Sequence, residues 1–150
     1  MRYRLTLAFA LLLLALPAAA ASTGVGIILG EPTGLSLKHW TGRDKAIDLA
    51  AAWSFDGEDA LHLHGDVLWH RYDWIEVDGD GLPTYLGIGA RVKFLDHGDD
   101  LLGVRFPIGL DYPFDRNRFD FFFELVPIMD LAPDTDFSLN AGLGLRIWFD

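Results

Sequence analysis

The stretch Phe137-Ser138-Leu139-Asn140-Ala141-Gly142-Leu143-Gly144-Leu145-Arg146-Ile147-Trp148-Phe149 alternates with a period of two along its whole length. Successive side chains of an extended strand point to opposite faces. Phe137, Leu139, Ala141, Leu143, Leu145, Ile147 and Phe149 therefore share one face, and Ser138, Asn140, Gly142, Gly144, Arg146 and Trp148 the other. One face is apolar and bulky; the other is small or polar. The division recurs upstream: Leu86, Ile88, Ala90, Val92 and Phe94 oppose Tyr85, Gly87, Gly89, Arg91 and Lys93. Leu102, Val104, Phe106, Ile108 and Leu110 oppose Gly103, Arg105, Pro107, Gly109 and Asp111, and Val25, Ile27 and Leu29 oppose Gly24 and Gly26.

Between such segments lie clusters of turn-forming residues: Glu31-Pro32-Thr33-Gly34, Thr41-Gly42-Arg43-Asp44, Asp56-Gly57-Glu58-Asp59, Asp78-Gly79-Asp80-Gly81, His97-Gly98-Asp99-Asp100, Asp115-Arg116-Asn117-Arg118 and Pro133-Asp134-Thr135-Asp136. Seven turns separate eight strands, and connections this short make neighbours antiparallel. The fold class expected is all-β, an eight-stranded antiparallel up-and-down β-barrel.

Alternation also suits a soluble sandwich, but the composition of the polar face argues otherwise. Glycine there weakens an exposed strand, whereas in a narrow lumen it makes room for the side chains of other strands. The charges are of both signs. Asp48, Asp66, Arg91, Lys93, Arg105, Asp111, Glu124 and Arg146 are expected to form an interior polar network, filling the small lumen that eight strands enclose. The apolar face then meets lipid.

The N-terminus sets the compartment. Arg2 and Arg4, an apolar run from Leu5 to Leu16, and Pro17 followed by Ala18–Ala21 form a secretory signal at residues 1–21, cleaved after Ala20 or Ala21. The run is too short for a spanning helix, which needs roughly 20 residues. No Cys follows it, so a lipoprotein anchor is not expected. Residues 22–150 are read as one domain. With no cysteine, no disulfide staples it. Without Arg2 and Arg4, ten basic residues stand against 22 acidic, a net charge of −12. That excludes nucleic acid as a natural partner and disfavours electrostatic attachment to anionic lipid.

Most segments reach the roughly 9 to 11 residues that cross a bilayer when tilted. Trp40, Trp53, Phe55, Trp69, Trp74, Tyr112, Phe114, Phe119 and Phe149 lie near predicted strand ends, where aromatic rings settle at membrane interfaces. Two features oppose the reading. Pro107 and Pro127 fall inside predicted strands six and seven, where each removes a ladder hydrogen bond that lipid cannot replace; either they mark bulges, or an open sheet or a soluble barrel gains ground. The loops are also uniformly short for an outer-membrane barrel.

Gly30-Glu31-Pro32-Thr33-Gly34-Leu35-Ser36-Leu37-Lys38-His39-Trp40, Ala51-Ala52-Trp53-Ser54-Phe55, and Leu61-His62-Leu63-His64 through Leu68-Trp69-His70 carry a resemblance. Across the region after the signal, the chain resembles a family of small bacterial outer-membrane β-barrel proteins with OmpA/OmpX-like eight-stranded architecture. The resemblance implies a structural framework and brings no catalytic residue. The last strand is also similar to the assembly signal of outer-membrane proteins, an alternating strand closing on an aromatic residue, from which this chain departs by adding Asp150 after Phe149.

Chemistry-bearing candidates are few. His62, His64 and Asp66 project from one face of strand four, with His70 farther along, and two imidazoles at i and i+2 can chelate a transition metal. The spacing is permissive, and the favoured role is membership of the interior network. Asp78 to Asp80 lack the later Glu of a calcium loop and read as a turn. Ser36, Ser54 and Ser138 sit in no nucleophile motif. Glu31 and Lys38 are expected to pair across the first hairpin. No catalytic set and no cofactor is expected.

Three functional classes follow. A structural or interaction barrel in the bacterial outer membrane, with lipid and the assembly machinery as partners, has apolar residues outward and charges inside. A soluble periplasmic, lipocalin-like barrel reverses those faces around an apolar ligand. A lipid-acting outer-membrane enzyme needs a Ser and a His in hydrogen-bond reach at one rim. They rank in that order, and a solute pore ranks below them.

Overall fold

The computed structural model describes residues 22–31, 33–54, 60–96 and 98–149, all as strands and connecting turns. The strands are β1 (Thr23–Glu31), β2 (Thr33–Trp40), β3 (Lys45–Ser54), β4 (Ala60–Arg71), β5 (Glu76–Val77), β6 (Asp80–Gly81), β7 (Thr84–Leu95), β8 (Leu101–Arg105), β9 (Ile108–Phe114), β10 (Phe119–Ala132) and β11 (Asp136–Phe149). Each barrel strand pairs antiparallel with the next, and β11 returns to β1, with Leu29 opposite Leu143 and Thr23 opposite Phe149. The sheet is closed. The expected signal at 1–21, Phe55 and the Asp56–Asp59 turn lie outside the described residues.

β8 and β9 are one barrel strand, which makes the total eight. The register shows this: Ile128 stands opposite Arg105 and Leu125 opposite Ile108, the same offset on both sides of Phe106-Pro107. Pro107 therefore marks no bulge, contrary to expectation. Its carbonyl still accepts from the Gly87 amide at 2.9 Å, and the Pro127 carbonyl accepts from the Phe106 amide at 3.0 Å. Each proline loses one bond of a reciprocal pair and keeps the other. The offset changes near Leu131 instead, where Asp130 faces Gly103 and Ala132 faces Leu102.

Both termini of the barrel lie at one end, with turns 41–44, 72–83 and 115–118; residues 98–100 and turn 133–135 lie at the other, and His97 lies outside the described residues. The segment 72–83 is longer than the Asp78–Gly81 turn expected there. It holds the β5–β6 hairpin, turned by Asp78 (φ 53°) and Gly79 (φ 86°), the Asp-Gly pair that a twisted two-residue hairpin favours. Beside it Arg71 holds Asp73 at 3.0 and 3.1 Å, and this hydrogen-bonded pairing keeps the Asp73 carboxyl below its ordinary range.

The outside of the barrel is apolar. Val25, Ile27, Leu29, Leu35, Ile47, Leu49, Leu86, Ile88, Phe121, Phe123, Leu139 and Leu143 are all exposed. Apolar side chains share the inside with the charges, among them Ile28, Ala50, Leu68, Phe122, Val126 and Ile128, of which Ile28, Ala50 and Phe122 form a cluster. Glycine shapes this interior at two positions. A Cβ on Gly144 would collide with the Phe122 ring, which lies across it from the neighbouring strand, and one on Gly109 would collide with Tyr85. The missing side chains are the space those rings occupy.

Candidate functional site: the charged lumen

Alternation carries Asp48, Asp66, Arg91, Arg105, Asp111, Glu124 and Arg146 inward, and all seven are buried; Lys93 is half-buried near the end of β7. They fall into connected groups along the barrel axis. Near the terminal end Lys38 donates to Asp111 Oδ2 at 2.6 Å and stands 2.8 Å from His70 Nε2. Its ammonium also lies 5.1 and 4.8 Å from the Trp40 and Tyr85 ring centres, within cation–π range.

Arg146 is the hub. Its guanidinium faces Asp111 at 3.4 Å, Asp120 at 3.6 Å and Asp48 at 3.7 Å, and its Nε donates to Ser36 Oγ at 3.3 Å. The guanidinium carbon stacks 3.7 Å above the Phe122 ring centre, so the ring that covers Gly144 also carries the central cation. Asp120 is held from behind by the Trp148 indole N–H at 2.8 Å.

Deeper in, Arg105 donates through Nε to Asp66 at 3.0 Å and faces Glu124 at 3.7 Å, while the Tyr85 hydroxyl donates to Glu124 at 3.0 Å. Farther along, Arg91 grips Asp130 in a bidentate pair at 3.0 and 2.6 Å. Such paired, hydrogen-bonded charges are the form in which ions tolerate burial.

His62 and His64 sit edge-on with ring centres 5.3 Å apart. Neither His64 nitrogen, nor His62 Nε2, has a hydrogen-bond partner, although all three atoms are buried. The group whose ligand atoms converge is Asp48, His64 and Asp66, all within 4.8 Å of one another. Asp48, not His62, completes it. His70 turns to Lys38 and Asp111 instead.

Several members of the network were not among the expected set. The partner expected for Lys38 is Glu31, whose side chain lies outside the described residues; the register sets Gly24 opposite Lys38, and its ammonium reaches Asp111 across the lumen. Asp120 and Asp130 share the inward face with Glu124, a relation that alternation from Glu124 reveals; the inward Phe122, Val126 and Ile128 between them mask it. Trp40 does not lie at an outer interface. It follows Ser36 and Lys38 on the inward face and packs against His70 at 4.2 Å and Trp148 at 6.4 Å, covering the terminal mouth. Trp53, Trp69, Trp74, Tyr112 and Phe149 are exposed. Ser36 hydrogen-bonds Asp48 and Arg146, Ser138 is exposed, and the Ser54 side chain lies outside the described residues. Among the described residues the hydroxyl–imidazole hydrogen bond is Thr23–His39 at 2.8 Å, on the outward face.

A closed eight-stranded barrel with an ion-paired interior is now in view. It is similar to the crystal structure of the N-terminal β-barrel domain of Pseudomonas aeruginosa OprF. The match has a TM-score of 0.66 and covers 86% of this chain and 99% of that one at 18% identity, a likeness of fold. No family model and no curated protein sequence matches the chain.

Proposed function

We propose that the chain is a structural or interaction barrel of the bacterial outer membrane, standing in lipid with a plugged lumen. One observation carries this reading: the surface is inverted relative to a soluble barrel. Leu29, Leu139 and Leu143 are 58, 66 and 59% exposed, whereas Arg105 and Arg146 are 1 and 0% exposed. Contiguous apolar surface of this extent on a monomer needs a non-aqueous partner, and a girdle of outward Trp, Tyr and Phe near the strand ends suits a bilayer.

The interior speaks against a ligand-carrying barrel. Among the described residues, the lumen cavity beside His64, Arg105 and Glu124 measures about 20 Å³, about one water and far below the roughly 300–1,000 Å³ of small-molecule sites. Charges from both walls meet across the axis, so the same plug opposes solute passage. The lipid-acting enzyme lacks its Ser–His pair among the described side chains.

Fractionation of the native host tests the proposal. Membranes washed with urea are expected to retain the protein in the outer-membrane fraction, and unheated samples should migrate differently from boiled ones on a denaturing gel, as a closed sheet resists detergent. Recovery in the soluble periplasmic fraction would overturn it.

A further inference from the structure

We propose that Asp48, His64 and Asp66 form a buried site for one divalent transition-metal ion of the zinc class, which ties β3 to β4 inside the lumen. The donor set is one imidazole nitrogen and two carboxylate oxygens, which suits Zn²⁺ or a neighbouring first-row ion better than the all-oxygen preference of Ca²⁺ and Mg²⁺. His64 Nε2 lies 3.9 Å from Asp66 Oδ2. That gap is too long for a hydrogen bond and wider than the roughly 3.4 Å that a tetrahedral angle sets between ligand atoms at Zn–N and Zn–O bond lengths, so the two side chains close by about 0.5 Å on the ion. Asp48, opposite Asp66 in the β3–β4 register, supplies the third ligand within the same 4.8 Å sphere.

Two further observations point to a cation here. Both ring nitrogens of His64 are buried without a hydrogen-bond partner, an arrangement that costs free energy unless something binds them. The described inward charges are also acid-rich: Asp48, Asp66, Asp111, Asp120, Glu124 and Asp130 face Lys38, Arg91, Arg105 and Arg146, with Lys93 half-buried beside them. A cation bound among the carboxylates adds to the smaller, positive side of that balance. Arg105 Nε lies 3.0 Å from Asp66 Oδ1 and 3.3 Å from Oδ2; the shorter contact makes it the outer donor that orients this carboxylate, and an ion on Oδ2 replaces the longer one.

The site is enclosed, so the ion is loaded during folding. The test is to refold the denatured chain in detergent with Zn²⁺ or with EDTA, desalt it, and count metal per folded barrel by mass spectrometry. One Zn²⁺ per barrel is expected. His64→Ala and Asp48→Asn should each lose it, weakening binding by more than the ~10–100-fold typical of outer-shell changes, while His62→Ala keeps it. Co²⁺ in its place should give the visible absorption of a low-coordinate N/O site in the wild-type barrel, which decides the matter even where a variant fails to fold. A folded wild-type barrel without retained Zn²⁺ or a Co²⁺ band overturns the proposal. So does undiminished Zn²⁺ on folded His64→Ala, the result for metal held by the acidic loops. Every outcome is read on the refolded barrel and is independent of where the protein resides.

Discussion

Replacing Arg146 with Met is expected to cost about 3–5 kcal/mol of barrel stability, the range found when one partner of a buried ion pair is removed. Met keeps much of the aliphatic bulk over Phe122, so the loss isolates the charge. Asp48, Asp111 and Asp120 all face this one guanidinium at 3.4 to 3.7 Å. Asp111 retains Lys38; among the described residues Asp120 keeps the Trp148 indole N–H, a neutral donor, and is the carboxylate that loses most with the charge. The midpoint of urea unfolding in detergent should fall sharply. Adding Asp120→Asn to Arg146→Met should recover part of it, because an amide oxygen still accepts from Trp148 without carrying the charge. A double-mutant cycle that shows no coupling between the two positions would contradict the hub.

Leu143→Arg tests the other face. Leu143 lies midway along β11, between Leu29 on β1 and Phe123 on β10 in the register, and its side chain points away from the lumen. In a bilayer an outward arginine near the midplane costs about 2–4 kcal/mol, falling to about 0–1 near the interfaces. The expected result is a corresponding loss of stability on refolding into phospholipid vesicles, with Thr41→Arg in the β2–β3 turn close to neutral. In a water-soluble barrel the same substitution at an exposed site would be nearly neutral, so the two readings differ by more than tenfold in the folding equilibrium.

The strands that disclose themselves in the sequence are those whose inward face is small or polar and whose outward face is large and apolar. β11 is the clearest case: Gly142, Gly144 and Arg146 oppose Leu143, Leu145 and Ile147. β10 is less legible because Phe122, Val126 and Ile128 point inward among Asp120, Glu124 and Asp130, so apolar residues occupy both faces. The prolines misled for a local reason. A proline removes one donor, and whether the strand bulges depends on whether its carbonyl and its neighbours hold the register, which they do at Pro107 and Pro127.

Membership of the lumen follows from alternation, but partnership does not. Arg105 meets Asp66 and Arg91 meets Asp130, each pair 39 residues apart, and Arg146 reaches Ser36 across 110 residues. Those contacts depend on barrel closure and on how far strands are staggered along the axis. Lys38 shows the limit: spacing points to a hairpin neighbour, yet the side chain crosses the interior to Asp111. The convergence of Asp48 with His64 and Asp66 is a β3–β4 register fact of the same kind.

The central claim is that alternate residues of these strands face lipid. The chain contains no cysteine, so single cysteines at positions 139, 141, 143 and 145 of β11, and at position 41 in a turn, can each carry a fluorescent label without background. In vesicles of brominated lipid, labels at the four strand positions should be strongly quenched, with the deepest quenching near residue 143, and the label at residue 41 should remain bright and open to aqueous quenchers. Labels at all five positions that stay bright and equally open to aqueous quenchers would contradict the account.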